Sequence, residues 1–446
     1  MSSGRKFFLP GSPSRTIMNL VFYCGCLPYR CLSLFKDNAN TFRRSALELV
    51  NNGYLEEVRY KGDTRVGIRT LIPTKMAISM GNYSKEFFQG QEFFVAHGTN
   101  RMRTDSGERQ TQSEIKREQL IQRNLTTSEA AAFFVSTAGY ADDCILSDKD
   151  IQILPGFKAG YEILSDSATI SVNKAEYFRP NGLNIEPNTC AFYTSWELKM
   201  GLPDAQARAC NGRIQGMIFN GGHVYSVLNM PGKFPVLIRG SAELDTRLTL
   251  TNAMQKFCTE EVRLENQSTV ILAARQDLIW NLLKGSDGGR DKVKTYYSID
   301  EGSIFPRESL YFPLSREGAM AFSMILTSGG RQRLITLYAH APKKTSGNIT
   351  CDYEEDNLHV LCFLIPDLYR LRMFTQSAAY YKDQGFVIYC YSFMEQLVLR
   401  YIKAYSNIKV IGIPVEQVFA DFKTSKRGFS AIYSREGDKS IVGEHV

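Results

Sequence analysis

Apolar residues at helical spacing open the chain. Ile17, Leu20, Val21 and Cys24 lie on one face of a segment beginning near Ser14, and Gly25 stops it, so the spacing predicts a first helix over Ser14 to Cys24. Pro28 suits the first turn of a second helix through Tyr29, Cys31, Leu32 and Leu34, because its missing N–H is not needed there. Lys36-Asp37-Asn38 makes a turn. A third helix follows, capped by Asn40 or Thr41, with Phe42, Leu47, Leu49 and Val50 for packing and Thr41, Arg43, Arg44 and Glu48 on its polar face. Asn51-Asn52-Gly53 ends it. Alternation then predicts a strand from Tyr54 to Tyr60, a turn at Lys61-Gly62-Asp63 and a return strand from Arg65 to Leu71.

Helix, helix, helix, hairpin is the order of a winged helix-turn-helix, a fold that presents its third helix and its hairpin to DNA. Further along, the stretch after Thr74 reads as helical and the polar segment from Asn100 to Gln119 as an exposed linker. Helical periodicity returns over Ile115 to Arg123, and Thr126 with Glu129 reads as a capping box for a helix over Ala130 to Val135. From about Gly156 short strands and turns dominate. Cys190 to Lys199 reads as a strand, and Ile214 to Phe219 pairs with His223 to Asn229 across Asn220-Gly221-Gly222.

Strands and helices then alternate. Strands are expected over Thr269 to Ala273, Arg333 to Tyr338, His359 to Ile365, Phe386 to Tyr391 and Lys409 to Ile413. Helices are expected over Leu278 to Leu283, over Leu368 to Tyr381 and up to Tyr405. The fold class is therefore α/β, or α+β overall. Its parts are a winged helix-turn-helix over 1–80, a helical bridge with a polar linker over 81–150, a mixed α/β domain over 151–421 and a basic, flexible tail over 422–446.

Charge sharpens the picture. The first eighty residues hold twelve Lys or Arg and five Asp or Glu, an excess equal to the net +7 of the whole chain. The rest is neutral. Within the head, Lys36, Asn40, Thr41, Arg43 and Arg44 fall on or beside the third helix, and Arg59, Lys61, Arg65 and Arg69 on the hairpin. Polar and basic groups placed so are expected to contact phosphates and base edges of double-stranded DNA, with an affinity that falls steeply with salt.

Composition excludes other classes. At 43% hydrophobic and 22% charged residues the chain has the make-up of a soluble globular protein. No apolar run approaches the roughly 18 residues that span a bilayer, and the N-terminal apolar stretch is broken by Pro10 and Pro13, so no membrane partner and a cytoplasmic location are expected. The ten cysteines form no C-x-x-C pair and read as reduced, buried thiols, not a zinc centre.

Chemistry in the body rests on one short pattern. Glu197-x-Lys199 at a strand end has the residue types of metal-dependent nucleases of the PD-(D/E)xK class, with Glu243 or Asp245 as the second carboxylate. An acidic residue usually precedes the E-x-K strand in that class; here it follows. No cofactor is expected unless that alternative holds, in which case Mg²⁺ is required. Gly285 to Arg290 lacks the Gly-Lys-Ser/Thr ending of a P-loop, and the histidines do not form the His-hydrophobe-His pair of one large class of relaxases.

The chain resembles the replication-relaxation family of plasmids and integrative conjugative elements. The resemblance lies in Tyr29-Arg30-x-Leu32, then in Arg43, Arg44, Leu47 and Leu49 leading into Asn52-Gly53-Tyr54-Leu55, and in the return through Ile68-Arg69 to Thr74. A second echo is Tyr193-x-Ser195-x-Glu197-Leu198-Lys199, followed by Arg213-Ile214-x-Gly216 and Val224-Tyr225-x-Val227. The resemblance implies a DNA-binding protein of a mobile element, acting in plasmid replication, relaxation or transfer; the basic head adds the expectation of sequence-specific binding to double-stranded DNA while the body assembles with itself or with other replication or transfer proteins. A Mg²⁺-dependent nickase or relaxase, and a winged-helix transcriptional regulator, are the alternatives.

Overall fold

The computed structural model describes residues 12–36, 39–60, 67–80, 112–141, 152–154, 189–195, 198, 214–220, 222–230, 249–258, 260–264, 266–284, 308–327, 329–343 and 349–425. Among them, helices and mixed sheets make an α/β protein with three sheets.

In the head, two helices and a hairpin appear where expected, and the stretch between the helices differs. Helix α1 spans Pro13–Cys24, with Ser12 accepting a hydrogen bond from the Arg15 N–H and Gly25 at φ 76° closing it. That left-handed residue turns the chain sharply enough for a two-residue strand β1, Leu27–Pro28, to join the hairpin. The expected second helix is thus shortened to a 3-10 turn over Tyr29–Ser33, because Pro28 is used as a strand residue opposite Thr70. Helix α2 spans Ala39–Asn51, so Asn40 and Thr41 sit inside its first turn instead of capping it. Strands β2 (Leu55–Tyr60) and β3 (Ile68–Pro73) form the hairpin, and helix α3 (Lys75–Met80) follows on a hydrogen bond from the Ala77 N–H to Thr74 Oγ1.

Both hairpin faces are covered. Leu55 and Leu71 join the core of α1 and α2, while Tyr60 and Ile72 on the other face meet Ile121 and Leu125. Those two belong to a 30-residue helix, α4, over Gln112–Ala141. This corrects two expectations. The linker does not extend to Gln119, and Thr126 and Glu129 do not start a helix. Thr126 Oγ1 donates back to the Gln122 and Arg123 carbonyls in mid-helix, and Glu129 bonds to distant residues.

The body's main sheet runs β4 (Gln152–Leu154), β5 (Thr189–Thr194), β6 (Gly216–Asn220), β7 (His223–Met230), β8 (Asn266–Ala273) and β9 (Ser309–Pro313), in that order across the sheet. β6 is antiparallel to both neighbours, and β7, β8 and β9 are parallel. The two-glycine turn is as expected, with Asn220 opposite His223. β5 stops at Thr194, short of the expected Lys199.

Helix α4 lies on this sheet together with helix α6 (Arg316–Leu326), its Phe133 against Phe312 and Phe322 and its Phe134 against Phe192. Helix α5, Gln276–Lys284, follows β8, and helix α7, Gly330–Thr336, follows α6. α7 occupies most of the stretch expected as the strand Arg333 to Tyr338. Gly330 allows it, since a Cβ at that position would collide with the Met324 carbonyl oxygen.

The body contains a second sheet. It comprises β10 (Tyr353–Glu355), β11 (Leu358–Cys362), β12 (Gly385–Tyr391) and β13 (Ile408–Ile413), the last three parallel and connected by helices α8 (Leu368–Tyr380) and α9 (Ser392–Ile402). Helix α10, Val415–Thr424, runs past residue 422, so the expected tail boundary falls inside a helix. No described helix is long and apolar enough to cross a membrane.

Candidate nucleic-acid interface and the polar clusters of the body

Helix α2 divides into two stripes. Phe42, Ala46 and Leu49 are buried, with the Phe42 ring stacked on Phe35 at 4.4 Å. The opposite stripe, Asn40, Arg43, Arg44, Leu47 and Asn51, is exposed, its members spaced three and four apart along one face. Thr41 and Glu48 are exposed too. Leu47 corrects the sequence reading: it is 49% exposed instead of packed, an apolar residue on the same stripe as Arg43 and Arg44. Lys36, at the end of the 3-10 turn, is also exposed.

The hairpin's arginines divide. Arg59 and Arg69 are opposite one another on β2 and β3 and both are exposed. Arg69, however, binds Glu57 through two hydrogen bonds of 2.8 and 2.6 Å and lies 4.2 Å over the Tyr29 ring. Hydrogen bonds from Arg69 hold the Glu57 carboxyl below its usual range. The guanidinium clamps the hairpin to the 3-10 turn, which leaves Arg59 as the described hairpin cation without such a clamp in view. Lys61 and Arg65 lie outside the described residues.

The residues weighed for nuclease chemistry, Glu197, Lys199, Glu243 and Asp245, also lie outside the described residues; Leu198 between the first two is buried. The described residues contain no cluster of three or more His, Cys, Asp or Glu able to hold a metal ion.

Polar groups that no local pattern announced do converge. His223 on β7 and Ser268 on β8 lie 2.7 Å apart through Nε2 and Oγ, and Ser268 donates to Glu308, the residue before β9. Arg331 of α7 binds both oxygens of Glu308 and donates to the Tyr225 hydroxyl at 2.9 Å. Burial works against an ionised Glu308, but hydrogen bonds from His223 and Arg331 and the Arg331 charge hold its pKa far below the ordinary value. Burial raises the Tyr225 hydroxyl to about 12. Carboxylate and guanidinium cancel, so this cluster ties three strand ends to α7.

Asp367, capping α8, joins the two sheets of the body. Its Oδ1 accepts from the Ser309 N–H of β9 at 3.1 Å and from the Tyr369 N–H at 3.0 Å. Desolvation dominates and lifts its pKa to about 7. Nearer the head, Glu129 of α4, 1% exposed, accepts from Arg30 at 2.6 Å and from Asn229 Nδ2 at 2.8 Å.

Comparison with family models, with curated proteins and with solved structures finds no match to the chain.

Proposed function

We propose that the head is a winged helix-turn-helix that binds double-stranded DNA, with α2 as its reading helix and the hairpin beside it. The observation that carries this reading is the exposed stripe of α2. A helix that buries Phe42, Ala46 and Leu49 on one face presents Asn40, Arg43, Arg44, Leu47 and Asn51 on the other. Arg pairs bidentately with guanine, Asn with adenine, and an apolar group meets the thymine methyl, so the stripe offers the contact types of a major groove. Supporting it is the charge excess of residues 1–80, equal to that of the entire chain.

Helix α4 gives the reading a mechanical consequence. It covers the back of the hairpin with Ile121 and Leu125 and packs on the main sheet with Phe133 and Phe134, so the head is fixed to the body by one rigid element. DNA held by α2 is therefore held at a set angle to the main sheet. This suits the role that the family resemblance implies, in which a mobile-element protein anchors at a DNA site while its body engages further copies or transfer proteins. The test is selection from a random duplex pool. The full chain should enrich a discrete motif, and a variant carrying Arg43→Ala and Arg44→Ala should enrich none. Equal enrichment by both proteins would remove α2 as the reading element.

A further inference from the structure

Cys351, just before β10, faces a histidine on the neighbouring strand. Its Sγ lies 4.0 Å from Nδ1 of His359 on β11, and Nε2 of that ring lies 2.7 Å from Oε1 of Gln384, immediately before β12. With its amide oxygen as the acceptor, Gln384 places the ring hydrogen on Nε2 and turns the Nδ1 lone pair toward the thiol, whose hydrogen also reaches the Ile349 carbonyl at 3.8 Å. Nucleophile, base and orienting group stand in sequence, which is the arrangement that activates a cysteine.

We propose that Cys351, His359 and Gln384 form a nucleophilic thiol site that exchanges with small disulfides. The three residues come from three separate segments brought together by the β10-β11-β12 order, and each is held by its own backbone. The Thr350 N–H donates to Ser377 Oγ at 3.4 Å and the Asp352 N–H to the Val360 carbonyl at 2.8 Å, fixing the chain on either side of Cys351. The Gln384 N–H donates to the Tyr381 carbonyl at 3.2 Å, and its own carbonyl accepts from Asn407 Nδ2 at 3.2 Å. His359 is 8% exposed, and its ring packs 5.1 Å from the Phe386 ring, which restricts its rotation. The adjacent acid, Asp352, is engaged with Arg370 and the Cys362 N–H at 2.7 Å each, away from the thiol.

Access separates Cys351 from the buried thiols. Cys24, Cys26, Cys31, Cys190, Cys362 and Cys390 are buried, whereas Cys351 and Cys258 are partly exposed. Burial raises Cys258 to about 11 and its Sγ donates to the Met254 carbonyl at 3.6 Å, which makes it the internal control. In the exchange the thiol proton passes to His359 Nδ1, and the Cys351 thiolate attacks one sulfur of a low-molecular-weight disulfide. A new S–S bond forms to Cys351 while the old one breaks. The departing thiolate takes the proton from His359, giving a mixed disulfide and one free thiol.

The test uses the full chain and peptide mapping of each cysteine. At pH 7 iodoacetamide should label Cys351 at least tenfold faster than Cys258, and glutathione disulfide should leave a dithiothreitol-reversible adduct on Cys351. Gln384→Ala should slow both reactions severalfold, Gln384→Glu, which keeps an acceptor, should restore them, and His359→Ala should bring labelling down to the Cys258 rate. Gln384 is exposed, so its variants report even if His359→Ala disturbs the sheet. Labelling of Cys351 no faster than Cys258, or at the wild-type rate in Gln384→Ala and His359→Ala alike, overturns the proposal.

Discussion

Arg30, in the 3-10 turn of the head, and Glu129, in the middle of α4, form an ion pair across 99 residues of sequence. The other Glu129 oxygen accepts from Asn229 on β7, so one buried carboxylate ties head, bridge and main sheet together. Two further side chains of α4 bond to head carbonyls: Ser128 to Cys26 at 2.6 Å, and Ser136 to Leu34. The head is held through these long-range polar contacts as well as by packing.

Removing the carboxylate should therefore loosen the junction. Glu129→Ala takes one of two acceptors from the buried Asn229 amide, which keeps the Thr126 carbonyl, and leaves Arg30 without its charge partner. The cost should reach about 2 to 4 kcal/mol, below the full price of a buried pair because the Arg30 side chain is 47% exposed. Urea unfolding read by tryptophan fluorescence and circular dichroism checks it; a midpoint within error of wild type refutes the coupling.

Asp367 makes stability depend on pH. Its folded pKa, about 7, stands above the ordinary 3.8, so the folded state keeps a proton that the unfolded chain gives up. The resulting stabilisation is complete below about pH 4 and is lost as pH rises toward 7, by roughly 4 kcal/mol at 1.36 kcal/mol per unit. Asp367→Asn keeps an acceptor for the Ser309 and Tyr369 N–H groups and removes the titration. The variant should gain on wild type between pH 4 and 8 in thermal melts, and parallel pH profiles would contradict this.

Gly216 marks where the main sheet has no room. A Cβ there would meet the Tyr193 carbonyl oxygen and lie 2.5 Å from the Phe192 ring. Gly216→Ala should cost about 1 to 3 kcal/mol through displacement of the Tyr193 carbonyl and that ring, measured by chemical denaturation. An unchanged midpoint would mean that the β5-β6 pair moves apart freely.

The polar cluster at Glu308 is a fastening and should behave as one. Arg331→Met leaves Glu308 half-buried with only His223 and Ser268 beside it, and stability should fall by about 2 kcal/mol, with the loss shrinking as the carboxylate is protonated in acid. Equal losses at pH 7 and in acid would assign the effect to packing instead of charge.

Local chemistry made the head and the hairpins legible. Gly25 ending α1, the stripe of Phe42 and Leu49, and Asn220-Gly221-Gly222 between two apolar runs each specify structure within a few residues. The bridge helix escaped because residues Ser128 to Phe134 are buried all round, so no polar face marks the period and Glu129 looks like a cap. Arg333 to Tyr338 resembled a strand because Leu334, Ile335 and Leu337 satisfy either period; Gly329 at φ 63° and the bare Gly330 settle it as helix. Glu308, Arg331, Asp367 and the Cys351–His359 pair depend on strand order, which no single segment encodes. For the proposed binding face, Arg43 and Arg44 were readable as residues of α2, while the pairing of Arg69 with Glu57 emerged only from the register of β2 and β3.

The most direct test of DNA recognition by α2 is a fluorescence-anisotropy titration of a labelled duplex carrying the selected motif, at several salt concentrations. Arg43→Ala and Arg44→Ala should each weaken binding by about 1 to 3 kcal/mol if the side chain reads a base, or reduce the slope of log affinity against log salt by about 1 if it meets a phosphate. Affinity and slope unchanged from wild type in both variants would contradict the account.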